Sequence, residues 1–127
     1  MITFAGALYG LLAALAAGVQ FALASGAPWG HLTLGGAFQG RLPRAVRAGA
    51  LVQSALLLSM GATMAGAAGV IAWVPPGWAI WATLAVTVFT TITNTLAPSA
   101  PERRLWGPVT ATMLICALVI TFMPQGS

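Results

Sequence analysis

The sequence predicts an all-α integral membrane protein, a four-helix bundle with a long cytoplasmic loop between its first two helices. Three observations carry that prediction. Of 127 residues, 59% are hydrophobic and 5% charged, with one acidic residue, five arginines and no lysine; a soluble domain carries about a quarter charged residues. Four stretches, at about 3–25, 48–73, 78–97 and 106–123, approach the roughly 20 apolar residues that a spanning helix needs. All five arginines fall in the first and third connections between those stretches, the distribution that fixes membrane orientation.

The four segments account for nearly the whole chain, so a single domain over 1–127 is expected, with no room for a soluble catalytic domain. The first segment reads as a span and not as a cleaved leader, because residues 1–4 carry no basic side chain. It contains Gly6, Gly10, Ala14 and Gly18, one small residue every fourth position, which lets another backbone approach closely in lipid. The second segment repeats the device with Gly61, Ala65 and Gly69. Spans one and two are therefore expected to pack tightly, with a homo-oligomer contact as the competing use of these faces.

Between spans two and three, "WVPPGW" reads as a short, stiff turn at residues 74–77, since two prolines fix φ and the glycine permits the reversal. Trp73, Trp78 and Trp81 around it, and Trp29 and Trp106 at the other end, suit the two membrane interfaces. Span three carries a polar stripe at helical spacing: Thr83, Thr87, Thr90 or Thr91, and Asn94. Hydroxyls there bond their own backbone or a neighbouring helix in the favoured reading and line a pathway in the other. Ahead of span four, Ser99 to Glu102 fits the S-x-x-E capping box. Pro108, about two turns further on, implies either a kink or a short interfacial helix over 100–106 before the span.

Membrane orientation accounts for the net charge of +4 better than nucleic acid does, and no nucleic-acid partner is expected. Four spans put the first and third connections on the same side; with arginines inside, both termini lie outside the cytoplasm. Cys116 stands alone and reads as a packed thiol. One histidine, one cysteine and one glutamate are too few for a metal site within one chain, and neither a metal nor a cofactor is expected. No span carries an ionisable group away from its ends, where proton relays and cation-coupled transporters usually place one.

What remains gathers near the cytoplasmic face. Gln20 and Gln53 lie about 7–11 Å inside the ends of their spans at ~1.5 Å per residue, Asn94 comes near the same layer from span three, and with Thr87 and Thr91 they are the candidate lining of a small cavity. Above them Arg41, Arg44, Arg47, Arg103 and Arg104, together with His31, are the candidate anion or lipid head-group site. In "RLPRAVR" Pro43 suits the first helical position. Arg44 and Arg47 then occupy the opening turns of span two, where free N–H groups and guanidinium groups can hold an anion between them. The first connection is about 20 residues long and half apolar, which suggests a glycine-hinged cover over the mouth.

"PWGHLTLGGAFQGRLPRAVR" together with "NTLAPSAPERRLWGPV" resembles a pattern found in small four-span bacterial membrane proteins, and the resemblance implies a bacterial inner-membrane setting and no activity. The functional expectation is a non-enzymatic accessory protein or small oligomer whose arginine-rich mouth binds an anionic lipid head group or an acidic partner segment. A small channel or transporter for a neutral or anionic solute is the alternative. A lipid-directed enzyme using His31 ranks last. Expected partners are membrane lipids, a second copy of the chain or another membrane subunit.

Overall fold

The computed structural model describes residues 1–28, 30, 40–97 and 100–123. Those residues form four helices and no strand: α1 (Ile2–Ala24), α2 (Arg44–Ala67), α3 (Gly77–Thr95) and α4 (Ala100–Phe122). Three of them, α1, α2 and α4, are long and apolar enough to cross a membrane. The fourth, α3, has 19 residues and carries Thr83, Thr87, Thr90, Thr91, Thr93, Asn94 and Thr95, which lower its hydropathy.

The helices pair as two hairpins. Helix α2 lies along α1, α4 lies along α3, and the two pairs meet mainly through α1 and α4. Between α1 and α2 the small residues act as expected. A Cβ on Gly61 would fall 3.1 Å from Ala13 Cβ and 3.7 Å from Gly10 Cα, and a Cβ on Gly6 would collide with Ala68 Cβ. The upper part of the α1 stripe behaves differently, since a side chain at Gly18 would meet nothing within 4 Å. The core runs along this seam through Ala5, Tyr9, Ala13, Met60 and Met64, and reaches α4 at Met113, Cys116 and Ala117.

Both connections after α1 and α2 begin with the same device. At the end of α1, Gly26 has φ 106°, its N–H donates to Leu23 O, and Ala27 N–H donates to Ala22 O. At the end of α2, Gly69 has φ 78°, its N–H donates to Gly66 O, and Val70 N–H donates to Ala65 O. These are Schellman closures, which favour glycine because only it adopts the left-handed conformation without a Cβ penalty. The second closure ends α2 at Ala67, six residues before the expected boundary. The turn read at 74–77 is thus the tail of a longer connection running from Ala68 to Pro76.

Two further boundaries differ from the sequence reading. Pro43 is the N-cap of α2 and not its first helical residue, with φ −58° and ψ 156°; its ring sets the approach and its carbonyl accepts from Arg47 N–H at 2.9 Å. Helix α4 starts at Ala100 and runs as one helix through Pro108. A separate interfacial helix is therefore absent from the described residues. The proposed capping residue Ser99, the histidine His31, Trp29 and most of the long connection lie outside them. The described ends of that connection are tied by Gly30 N–H donating to Gly40 O at 2.8 Å.

Candidate functional site

All five arginines sit at one end of the molecule, where α1 and α3 finish and α2 and α4 begin. Two of them are hydrogen-bonded to the protein itself. Arg47 Nε donates to Ala24 O at 3.1 Å, and Arg103 Nη1 donates to Ala97 O at 2.6 Å. Each guanidinium thereby meets a carbonyl at or just beyond the C-terminal end of the preceding helix, the end where the helix dipole favours a cation. Arg41 lies flat over Gly26, whose missing side chain would otherwise sit 2.7 Å from Arg41 Nη2. Arg44 and Arg104 are exposed on the first turns of α2 and α4. The sequence groups all five together; in the structure Arg47 and Arg103 fasten the hairpins, Arg41 lies over Gly26 at the surface, and Arg44 and Arg104 are exposed with neither contact.

Between the hairpins at this end lies a cavity of about 680 Å³, within the ~300–1,000 Å³ typical of small-molecule sites. Leu42, Val46, Ala97 and Glu102 line its outermost part. Gln20, Gln53, Asn94, Thr93 and Trp106 follow one layer down, with Gly49 and Ala50 between the first two layers. Ala16, Leu57, Met60, Thr90, Val109, Thr110 and Met113 form its deep walls. The three amides singled out from the sequence thus share one cavity, each half-buried.

Thr87 and Thr91 do not line it. Thr87 is wholly buried against α1, where Tyr9 OH lies 2.7 Å from its Oγ1, while that oxygen donates to Thr83 O at 2.7 Å. Since the Thr87 proton goes to Thr83, Tyr9 is the donor in the pair. Thr91 Oγ1 divides its proton between Thr87 O at 2.7 Å and Thr110 O at 3.0 Å. The stripe on α3 therefore serves packing at Thr83, Thr87 and Thr91, and it reaches the cavity at Thr90 and Asn94. Even there the polar groups bond inward, with Asn94 Nδ2 donating to Thr90 O at 2.7 Å and Thr90 Oγ1 to Thr87 O at 3.1 Å.

Glu102 is a cavity residue that the sequence reading assigned only to capping. It is buried on the first turn of α4 and takes part in a polar interaction there; the N-terminal position favours its negative charge. Gly49 and Trp106 also line the cavity without having been picked out. The available signal was their register: Gly49 is one helical turn from Gln53, and Trp106 one turn from Glu102, so each shares a face with a polar wall residue.

Beneath the cavity the interior is closed. Tyr9, Ala13, Met64 and Ala117 have no exposed surface, and the polar wall gives way to Leu57, Met60 and Met113. Comparison with protein-family models, with curated proteins and with solved structures returns no match.

Proposed function

We propose that the chain is a non-enzymatic four-span membrane protein whose arginine-bearing end binds the head group of an anionic lipid. The observation that carries this reading is the placement of Arg44 and Arg104, exposed on the opening turns of the two helices that form the long walls of the cavity. Arg47 and Arg103 are bonded to backbone carbonyls and Arg41 lies over Gly26, so Arg44 and Arg104 are the two with neither contact and are best placed to meet a phosphate at the membrane surface. Guanidinium groups bind phosphate oxygens in pairs, and basic residues next to a span attract anionic lipid by about 1 kcal/mol each.

Counting α3 as the fourth span makes the topology even. Its hydroxyls satisfy carbonyls of their own or a neighbouring helix, which reduces the cost of threonine in lipid. The positive-inside rule then turns the arginine end toward the cytoplasm of a bacterial inner membrane and leaves both termini outside. The exposed tryptophans Trp73, Trp78 and Trp81 at the opposite end suit the outer interface. A channel or transporter draws less support, because the layer of Tyr9, Ala13, Met64 and Ala117 below the cavity is packed.

The test compares lipid retention by the purified protein and by an Arg44→Gln, Arg104→Gln double variant in mixed phosphatidylglycerol and phosphatidylcholine nanodiscs. Enrichment of phosphatidylglycerol around the native chain, lost in the double variant, is the expected result. Equal enrichment around both would sink the proposal. The variant keeps Arg41, Arg47 and Arg103, so the hairpins and orientation should survive it.

A further inference from the structure

We infer that the cavity between the hairpins is the berth of a hydrocarbon chain, so that the ligand is a whole acyl-bearing anionic amphiphile and not a head group alone. This rests on the anion-binding reading above and adds the part of the lipid that reading does not use.

The first argument is shape. Along α2 the lining runs from Val46 to Met60, and along α4 from Glu102 to Met113. At ~1.5 Å rise per residue these are walls roughly 16–21 Å long. The volume of about 680 Å³ is thus drawn out along the helices. The space is therefore a slot parallel to the helices. A compact solute would fill only part of it, whereas an extended chain with its axis along the membrane normal matches it.

The second argument is the order of chemistry down the slot. Leu42 and Glu102 line the mouth, with the exposed Arg44 and Arg104 on the first turns of the same two wall helices but outside the lining; below come the amides of Gln20, Gln53 and Asn94, then a floor closed by Met60 and Met113. A phospholipid presents phosphate, ester linkage and alkyl chain in the same sequence. The amides supply hydrogen-bond donors at the level of the ester carbonyls, and methionine is the side chain that best adapts to a flexible chain end.

The third argument is what an empty slot would cost. Its deep walls are apolar and offer a water few of the 2–4 polar partners it needs. Left void, those walls would lose their dispersion contacts outright. Helix α2 packs only lightly against α3 and α4, so a chain from the surrounding bilayer can reach the slot from the side. Chain burial alone is not selective, since lipid tails are as apolar as leucine; selectivity comes from the rim.

The test uses phosphatidylcholine vesicles containing the reconstituted protein and a phosphatidylglycerol whose acyl chain carries a diazirine, with the matching phosphatidylcholine probe as reference. Met60 and Met113 are buried and face the slot, while Leu58 and Ile115 lie near their depth and are more than half exposed. After irradiation the phosphatidylglycerol probe should label Met60 and Met113 in addition to Leu58 and Ile115. Gly49→Leu should cut the methionine labelling several-fold, because Gly49 lines the slot and a Cβ there would meet nothing within 4 Å. Gly18→Leu, at an equally open site on the outer face, should leave it unchanged. Labelling confined to Leu58 and Ile115, with phosphatidylglycerol enrichment intact, would overturn the chain berth and spare the head-group reading. Equal methionine labelling by both probes would overturn the head-group reading and the anionic half of this inference with it.

Discussion

Arg47 Nε donates to the carbonyl oxygen of Ala24 at 3.1 Å, which places the fourth residue of α2 on the last residue of α1. The Schellman closure at Gly26 satisfies the carbonyls of Ala22 and Leu23, and Arg47 takes the next one. Hydrogen bonds to charged groups contribute about 1.5–3 kcal/mol when shielded and less when partly exposed. Arg47→Gln should therefore lower stability by about 1 kcal/mol, seen as a reduced Tm in detergent. Arg44→Gln, at an exposed position with no such carbonyl bond, should leave Tm in place. Equal Tm for the two variants would show that the Ala24 contact contributes nothing measurable.

Gly69 isolates backbone conformation from packing. Its φ is 78°, yet a Cβ there would meet nothing within 4 Å. Gly69→Ala should destabilise the chain by about 1–2 kcal/mol through left-handed strain alone. A D-alanine introduced at the same position by semisynthesis should restore the native Tm. Failure of the D-residue to rescue would place the cost elsewhere.

Gly61 is the packing counterpart. A methyl group there approaches Ala13 Cβ at 3.1 Å across the α1–α2 seam, so Gly61→Val should cost about 1–3 kcal/mol from overpacking. Gly18→Val, facing open space on the α1 stripe, should cost little. Thermal unfolding of both variants checks this, and a larger loss at Gly18 would reverse the assigned seam.

Cys116 offers a built-in reporter, since its thiol is buried in the core with Tyr9 and Met113. Maleimide labelling of the intact protein should be slow and should track global unfolding as detergent or temperature is raised. In Tyr9→Ala, which removes the large buried ring and should cost about 3–5 kcal/mol, labelling should accelerate sharply. Tyr9→Phe removes only the bond to Thr87, worth about 0.6 kcal/mol in membranes, and should label nearly as slowly as the native chain.

The sequence made the helices legible because apolar runs of spanning length leave little choice of structure, and the small-residue spacing at Gly6, Gly10, Gly61 and Ala65 located the α1–α2 seam. Helix ends were harder to read. Gly26 and Gly69 act through left-handed backbone, and an apolar run such as 68–73 continues past the point where that backbone has stopped the helix. Hydropathy cannot see the change. The amides of Gln20, Gln53 and Asn94 could be placed in one layer by counting from the span ends. Which arginines were free could not, because that depends on which carbonyls the turns leave open, as at Ala24 and Ala97. Thr87 shows the same limit: its helical position was evident, but its turn toward Tyr9 depends on how α3 is rotated against α1.

Arg47 and Arg103 hold the same place in their hairpins, each the fourth residue of the second helix and each fastened to the end of the first. With little contact between α2 and α3, the chain is divided into two halves that each carry their own clasp. Each hairpin is thus closed by a bond that does not depend on the other. The slot is lined from both hairpins, so it exists only where the two halves meet, and neither clasp alone can form it.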